Sequence, residues 1–146
     1  IGKRKPGGAS DAAIKALGLE DHVEFVTDVP ERRIIELYSE AEMAVVPSLY
    51  EGFSLPAIEA MACGTPLVGT TGGAVPEVIG KDGDTAMVVP PGDSEALAAK
   101  IRWGLDQEDL RGTIGVRGRQ RIIDRWSWKH TAAKTVEQYR IRLGQD

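Results

Sequence analysis

Short runs rich in apolar and β-branched residues recur along this chain at intervals of about twenty residues, at 22–26, 43–47, 66–69 and 86–89. Between them the apolar positions switch to helical spacing. Residues 10–17 close on Gly18, and 31–40 place Ile34, Ile35, Leu37 and Tyr38 along one side. Residues 55–63 close on Gly64 and 75–79 on Gly80, so three of these four segments are followed by the residue that best takes a left-handed cap. Strands that alternate with helices, each strand apolar on both faces, predict βα units feeding a parallel sheet covered on both sides. After Pro90-Pro91-Gly92 the strand pattern stops. Asp93 or Ser94 can cap a helix reaching about Gly104, 108–125 reads as a second, and Ser127 can cap a third through about Leu143. The expected architecture is α/β in one domain, 1–146, with a helical C-terminal segment over 93–146.

A chain of 146 residues can bury about two-thirds of the surface that its unfolded form exposes, enough for a core without staples. The single cysteine, Cys63, excludes an internal disulfide and argues against a cysteine-rich zinc site. The longest apolar runs, 43–47 and 86–91, fall far short of the roughly 18 residues a membrane span needs. No secretory leader is visible and Ile1 is no initiator, so a piece of a longer protein is expected.

The net charge of −4 conceals an asymmetry: residues 1–99 carry 7 basic and 16 acidic side chains, residues 100–146 carry 11 and 6. No DNA- or RNA-binding motif accompanies the basic end, so nucleic acid is not an expected partner. Solvated helix faces account for it, and an anionic surface, either a membrane or a partner domain, is the sharper alternative. Trp103, Trp126 and Trp128 cluster there with Arg102 and read as packing anchors.

In open parallel sheets ligands bind beyond the carboxyl ends of the strands, which directs attention to the loops 27–30, 48–54, 70–74 and 90–93. The second runs into Glu51-Gly52-Phe53-Ser54-Leu55-Pro56-Ala57-Ile58-Glu59. Pro56 suits a first helical turn and Ser54 the capping position before it. The helix that follows holds one charge, Glu59, which falls between Leu55 and Cys63 within an apolar arc completed by Ile58 and Ala62. A helix apolar on every side is expected to be buried, and a buried carboxylate needs a proton, a partner or a polar ligand. The helix dipole, worth about 0.3–1 kcal/mol, accounts for an acidic residue here but not for the lack of any other polar one. Gly52 lets the backbone approach a ligand closely, and the free N–H groups of a helix start make a phosphate-binding geometry. An anion site flanked by two carboxylates suits a molecule with both phosphates and hydroxyls, such as a nucleotide sugar. The third loop, Thr70-Thr71-Gly72-Gly73-Ala74-Val75-Pro76-Glu77, repeats the scheme at the same sheet end, although a glycine pair alone reads as a tight turn.

The run from Glu51 to Glu59 resembles the E-x7-E signature of the large family of retaining glycosyltransferases that has the GT-B fold and includes glycogen, sucrose and mannosyl transferases. The flanking text agrees: Pro47-Ser48-Leu49-Tyr50 before it, Ala60-Met61-Ala62-Cys63-Gly64-Thr65-Pro66 after it, then the Gly-Gly-x-x-Pro-Glu segment and Val88-Val89-Pro90-Pro91-Gly92-Asp93. The resemblance covers the chain from about Gly18 to Trp128. It implies a Rossmann-like domain, the C-terminal half of a GT-B fold, that binds a nucleotide-diphosphate sugar. By that resemblance Glu51, the catalytic candidate, contacts hydroxyls of the transferred sugar near the reacting centre, and Glu59 holds the ribose. Backbone amides of Phe53, Ser54 and Leu55 meet the diphosphate, Gly52, Gly72 and Gly73 complete the donor site, and Thr65 lies close by. Thr27 and Val29, in the loop 26–29, face the base. The family generally works without a bound metal or cofactor, and His22 and His130 stand alone in the sequence. Lys3, Arg4 and Lys5 match only loosely and are expected to be solvated.

The family's first strand, with the paired Arg and Lys that neutralise the departing diphosphate, has no counterpart here and is expected to precede Ile1, as is the N-terminal acceptor-binding domain. Loss of that electrostatic clamp would remove a large share of transition-state stabilisation, so the chain alone is expected to be inactive. In the parent enzyme a hexosyl group would pass to an acceptor hydroxyl on the face the diphosphate leaves. The expected partners are the donor and the missing domain, met by Trp126, Trp128 and the arginine-rich face 117–125. The expected location is cytoplasmic, with peripheral contact at the inner face of the membrane as the alternative use of the basic end.

Two further readings stay open. Sugar-nucleotide epimerases and glycogen-type phosphorylases share the two-domain architecture. A phosphorylase needs a Schiff-base lysine, however, and none lies near the Glu51 or Gly72 loops; an epimerase would not use the E-x7-E string in this way. A non-catalytic α/β module that binds a nucleotide or a partner is the third possibility. In its receiver form it would need an aspartate ending a strand, where this sequence has Val26, Pro47, Gly69 and Val89.

Overall fold

A computed structural model describes residues 6–144; Lys3, Arg4 and Lys5 lie outside the described residues. Where the sequence suggests one domain, the chain divides into two compact units, 1–37 and 38–146.

In the first unit α1, Ala9–Ala16, is followed by Gly18 in the left-handed conformation at φ 64°. A 3₁₀ turn, Glu20–His22, comes next. The strand expected at 22–26 does not form. Val23 is extended at φ −125°, ψ 119°, but a strand is made by joining a sheet ladder, and the sheet of the described residues contains only strands at 44–46, 67–70 and 87–89. Helix α2, Glu31–Glu40, starts in this unit, with Glu36 accepting from Arg32 at 3.0 Å and Arg33 at 3.3 Å.

The second unit is built on three parallel strands, β1 Ala44–Val46, β2 Leu67–Thr70 and β3 Met87–Val89, in the order β1-β2-β3. Register runs from Ala44 opposite Leu67 to Thr70 opposite Val89. Central β2 is buried along its whole length, which is why its sequence is apolar without alternation. Leu67 joins a cluster with Ala57, Met61, Val75, Ile79 and Ile122, whereas Val68 faces Met87, Val89 and Ile114 on the opposite side. The covering helices are α3 Leu55–Ala62, α4 Val75–Ile79, α5 Ser94–Leu105 and α6 Glu108–Trp126. α3 and α4 end on glycines at φ 82° and 85°, as the sequence suggests. Of the two candidate caps for α5 it is Asp93 that acts, its Oδ1 accepting from the Ala96 amide at 2.8 Å.

Helix α7, Trp128–Leu143, is capped by Ser127, which accepts from the His130 amide at 3.2 Å, and it contains no buried residue. Trp128 is 89% exposed and so does not anchor packing, unlike Trp126, which lies against the first cluster. The half-exposed Trp103 carries the Lys100 ammonium 5.5 Å from its ring centre.

The arginine face expected to stand bare is largely committed to this unit. Arg121 donates to the carbonyls of Val78 and Glu77, both at 2.8 Å, Arg119 donates to the Ala62 carbonyl, and Arg117 pairs with Asp84 at 3.1 Å. The reason is electrostatic: the C-terminal carbonyls of α3 and α4 lack intrahelical donors and sit at the negative ends of their dipoles. No helix among the described residues is long and apolar enough to cross a membrane.

Candidate functional site

Because the three strands are parallel, the segments that leave them gather at one edge of the sheet. Cross-links hold them there: Thr70 Oγ1 donates to the Ser48 carbonyl at 2.5 Å, the Thr71 amide to Val89 O at 3.0 Å, and the Ala74 amide to Glu51 O at 2.8 Å. A cavity of ≈ 170 Å³ opens at this edge, lined by Pro47, Thr70, Val89, Pro90, Asp93 and Leu97.

The glycine pair explains how the first two loops come so close. A methyl group on Gly72 would overlap the Leu49 carbonyl oxygen, and one on Gly73, at φ 63°, would overlap that of Glu51. Side chains are excluded at both positions, and Glu51 forms a parallel bridge with Gly73.

Glu51 is therefore fixed through its backbone, and its side chain is fixed as well. The Ser48 hydroxyl donates to Oε1, while Oε2 is buried and has no partner. Ser54 is fully buried, and its hydroxyl is likewise unpartnered. It occupies the capping position of α3 but does not cap: at φ −98°, ψ 87° the side chain accepts from neither of the helix amides that a cap serves. The first bond of α3 runs from the Ile58 amide to the Ser54 carbonyl at 3.2 Å, and the amides of Phe53, Ser54 and Leu55 donate to no acceptor among the described residues. Three amides without an acceptor, an unpartnered hydroxyl and an unpartnered carboxylate oxygen thus belong to the segment that leads into α3, whose start is the positive end of a helix dipole and suits an anion.

Glu59 departs from expectation. The buried face of α3 is Ala57, Ala60 and Met61, whereas Glu59 is exposed and Leu55, one turn before it, is 57% exposed. Composition misleads here because β2 and α6 cover one side of this alanine-rich helix and leave Leu55 and Glu59 on its exposed side. Beside Glu59 stands the Tyr38 phenol, in the part of α2 that belongs to this unit. Burial, the charges of Glu59 and Cys63 and a hydrogen-bonding contact to Glu59 push its pKa up to about 12.

Thr65 does not join the group. It precedes β2 at the opposite edge of the sheet, is 4% exposed and gives its hydroxyl to the Tyr38 carbonyl at 2.6 Å. The resemblance puts it beside the diphosphate, but α3 carries the chain back across the sheet before Thr65 is reached. Thr27 and Val29 lie in the first unit and flank Asp28, whose φ is 54°. Phe53 is half-exposed and meets Trp126 edge to face, ring centres 5.5 Å apart, and the Trp126 Nε1 is buried without a partner. A larger cavity, ≈ 580 Å³, lies between α6 and α7 against Trp126, Arg125, His130 and Lys134, and none of the glutamates above lines it. Among the described residues no three His, Cys, Asp or Glu side chains gather to hold a metal.

Sequence reasoning gave Ser48, Thr70 and Tyr38 no role. In the sequence Ser48 and Thr70 flank the glutamate and glycine motifs with nothing to indicate a side-chain partner, and Tyr38 is one more apolar position of its helix.

The family model described as "Glycosyl transferases group 1" matches residues 9–121. MMP alpha-(1->4)-mannosyltransferase of Mycolicibacterium hassiacum is 42% identical over 139 residues, 95% of this chain and 34% of that protein. Sucrose-phosphate synthase from Thermosynechococcus elongatus superimposes with a TM-score of 0.87 at 32% identity, covering 99% of this chain and 38% of its own. Anabaena HepE in complex with UDP-glucose does so at 0.79 and 25%, covering 90% and 38%. The chain thus spans about a third of the length of the relatives it matches.

Proposed function

Because the chain belongs to the group 1 glycosyl transferases, we propose that it is the donor-binding half of a retaining enzyme that transfers a hexosyl group from a nucleotide-diphosphate sugar to an acceptor hydroxyl. The observation that carries this reading is the set of unused polar groups where the Glu51 loop enters α3. The amides of Phe53, Ser54 and Leu55, which have no acceptor among the described residues, donate to the diphosphate. As that group leaves and gains charge, donors already in place stabilise it without reorganisation. Glu51 Oε2 accepts from a hydroxyl of the transferred sugar, and the exposed Glu59 carboxylate can receive both hydroxyls of a ribose diol. Gly52, Gly72 and Gly73 keep side chains away from the donor. The acceptor hydroxyl attacks on the face from which the diphosphate departs, so no nucleophile is required of this half, and no cofactor enters the reaction. A solved relative that carries UDP-glucose and a relative named as a mannosyltransferase support the donor class.

Catalysis requires the remainder of a longer protein, placed in the cytoplasm, that binds the acceptor and supplies cations to the leaving diphosphate. Its contact on this half is α7, where Trp128, Val136, Tyr139 and Leu143 lie exposed within one arc of the helix. Anionic lipid is the alternative occupant. Co-sedimentation of the full-length protein with anionic vesicles at low salt would favour lipid, and its absence removes that alternative.

Calorimetric titration of UDP, GDP and ADP into the full-length protein tests the donor site. One nucleotide is expected to bind, and Glu59→Ala to weaken it about tenfold, the worth of a charged hydrogen bond. Equal affinity in the two proteins overturns the ribose assignment.

A further inference from the structure

Ser48 and Thr70 have no part in the donor contacts proposed above, yet a chain of hydrogen bonds runs through them to Glu51. Thr70, 2% exposed at the carboxyl end of central strand β2, accepts from the Gly72 amide at 3.4 Å and donates to the Ser48 carbonyl at 2.5 Å. Ser48, just past the end of neighbouring β1, donates its own hydroxyl to Glu51 Oε1. The Glu51 backbone is held independently, by the Ala74 amide and by the bridge to Gly73. One carboxylate oxygen is therefore occupied, and Oε2 is left buried and unpartnered.

A carboxylate free to turn about its side-chain torsions presents either oxygen in many orientations and loses that freedom when it binds. One oxygen anchored in advance leaves the other in a single direction. We propose that Ser48, held in place by Thr70, is a positioning residue that fixes the Glu51 carboxylate so that Oε2 alone accepts from a hydroxyl of the donor sugar. The inference rests on the reading of Glu51 as the sugar contact and deepens it. It also accounts for a hydroxyl at position 70: valine would fit a buried strand equally well, but would leave the partly buried Ser48 carbonyl without its donor.

The test compares, in the full-length protein, the affinity for a nucleotide sugar with that for its free diphosphate, using UDP-glucose with UDP, GDP-mannose with GDP and ADP-glucose with ADP. The ratio isolates what the sugar contributes. In the pair that binds, Ser48→Ala is expected to lower the ratio about 5- to 20-fold, the range for a charge-assisted hydrogen bond, with diphosphate affinity within about twofold. Thr70→Val is expected to act in the same direction, Ser48→Thr to retain the wild-type ratio, and Ser48→Ala to add no loss to Glu51→Ala. A ratio lowered by Glu51→Ala but untouched by Ser48→Ala overturns the positioning role and leaves the Glu51 reading standing. A ratio untouched by Glu51→Ala overturns that reading itself, as does failure of all three pairs to bind. Equal weakening of sugar and diphosphate binding by Ser48→Ala marks a merely structural residue and also overturns the proposal.

Discussion

Gly73 and Glu51 are in backbone contact: the Gly73 α-carbon lies where any side chain would overlap the Glu51 carbonyl oxygen, and the two residues form a parallel bridge. The loops that leave β1 and β2 are thereby locked together at one point. The glycine pair, which invites a ligand-binding reading from its sequence, has a prior task of bringing the Glu51 loop flat against its neighbour.

Gly73→Ala is expected to destabilise the protein by about 2 kcal/mol or more, through the left-handed φ and the overlap with Glu51. Gly52→Ala, at a position with open space around it, should stay within about 1 kcal/mol. Urea unfolding of the two variants checks the contrast, and equal stabilities would contradict the contact.

Ser54→Ala separates a helix cap from a ligand group. Loss of a working serine cap costs about 1 kcal/mol. Here the hydroxyl bonds nothing, so the free protein should change by less than about 0.5 kcal/mol while nucleotide diphosphate affinity falls. A full cap-sized loss of stability in thermal unfolding would show that the hydroxyl does serve α3.

The arginines of α6 should divide by what they hold. Arg121→Met removes the donors to Glu77 and Val78 at the end of α4, with an expected cost of about 1–3 kcal/mol. Arg117→Ala breaks only an exposed pair with Asp84 and should cost under about 0.5 kcal/mol. Chemical denaturation of each variant provides the measurement.

Tyr38 gives a pH signature. Its phenol is raised from 10.0 to about 12, first by burial and then by the charges of Glu59 and Cys63 and its hydrogen-bonding contact to Glu59. The folded state thus keeps a proton that the unfolded state releases, and stability falls with pH wherever the folded state binds more protons. The contribution is complete below pH 10 and is lost as pH rises toward 12. The stability difference between wild type and Tyr38→Phe should shrink over that window, and a phenolate difference titration with its midpoint near 10 would contradict the placement of Tyr38.

Much of this was legible in the sequence, and the failures have physical causes. The glycines after α3 and α4 and the capping Asp93 mark local conformations that a few residues determine by themselves. The segment 22–26 looked like a strand because its side chains suit one, but pairing depends on a neighbour that periodicity does not report. Glu59 was taken for buried because its helix is apolar all round, yet burial depends on which side another element covers. Thr65 enters the site through the resemblance alone, and its place before β2, at the other end of the strand from the loops, is set by the course of the chain across the sheet. Ser48 and Thr70 escaped notice because a hydrogen bond between adjacent strand ends follows from register, which composition does not contain.

The central claim is that the start of α3 receives the diphosphate of a nucleotide sugar. Amide chemical-shift mapping during titration of UDP-glucose, GDP-mannose and ADP-glucose tests it most directly. The account predicts that the donor which binds moves the amides of Phe53, Ser54 and Leu55 most. Shifts centred instead on the cavity between α6 and α7, or no binding by any of the three, would contradict it.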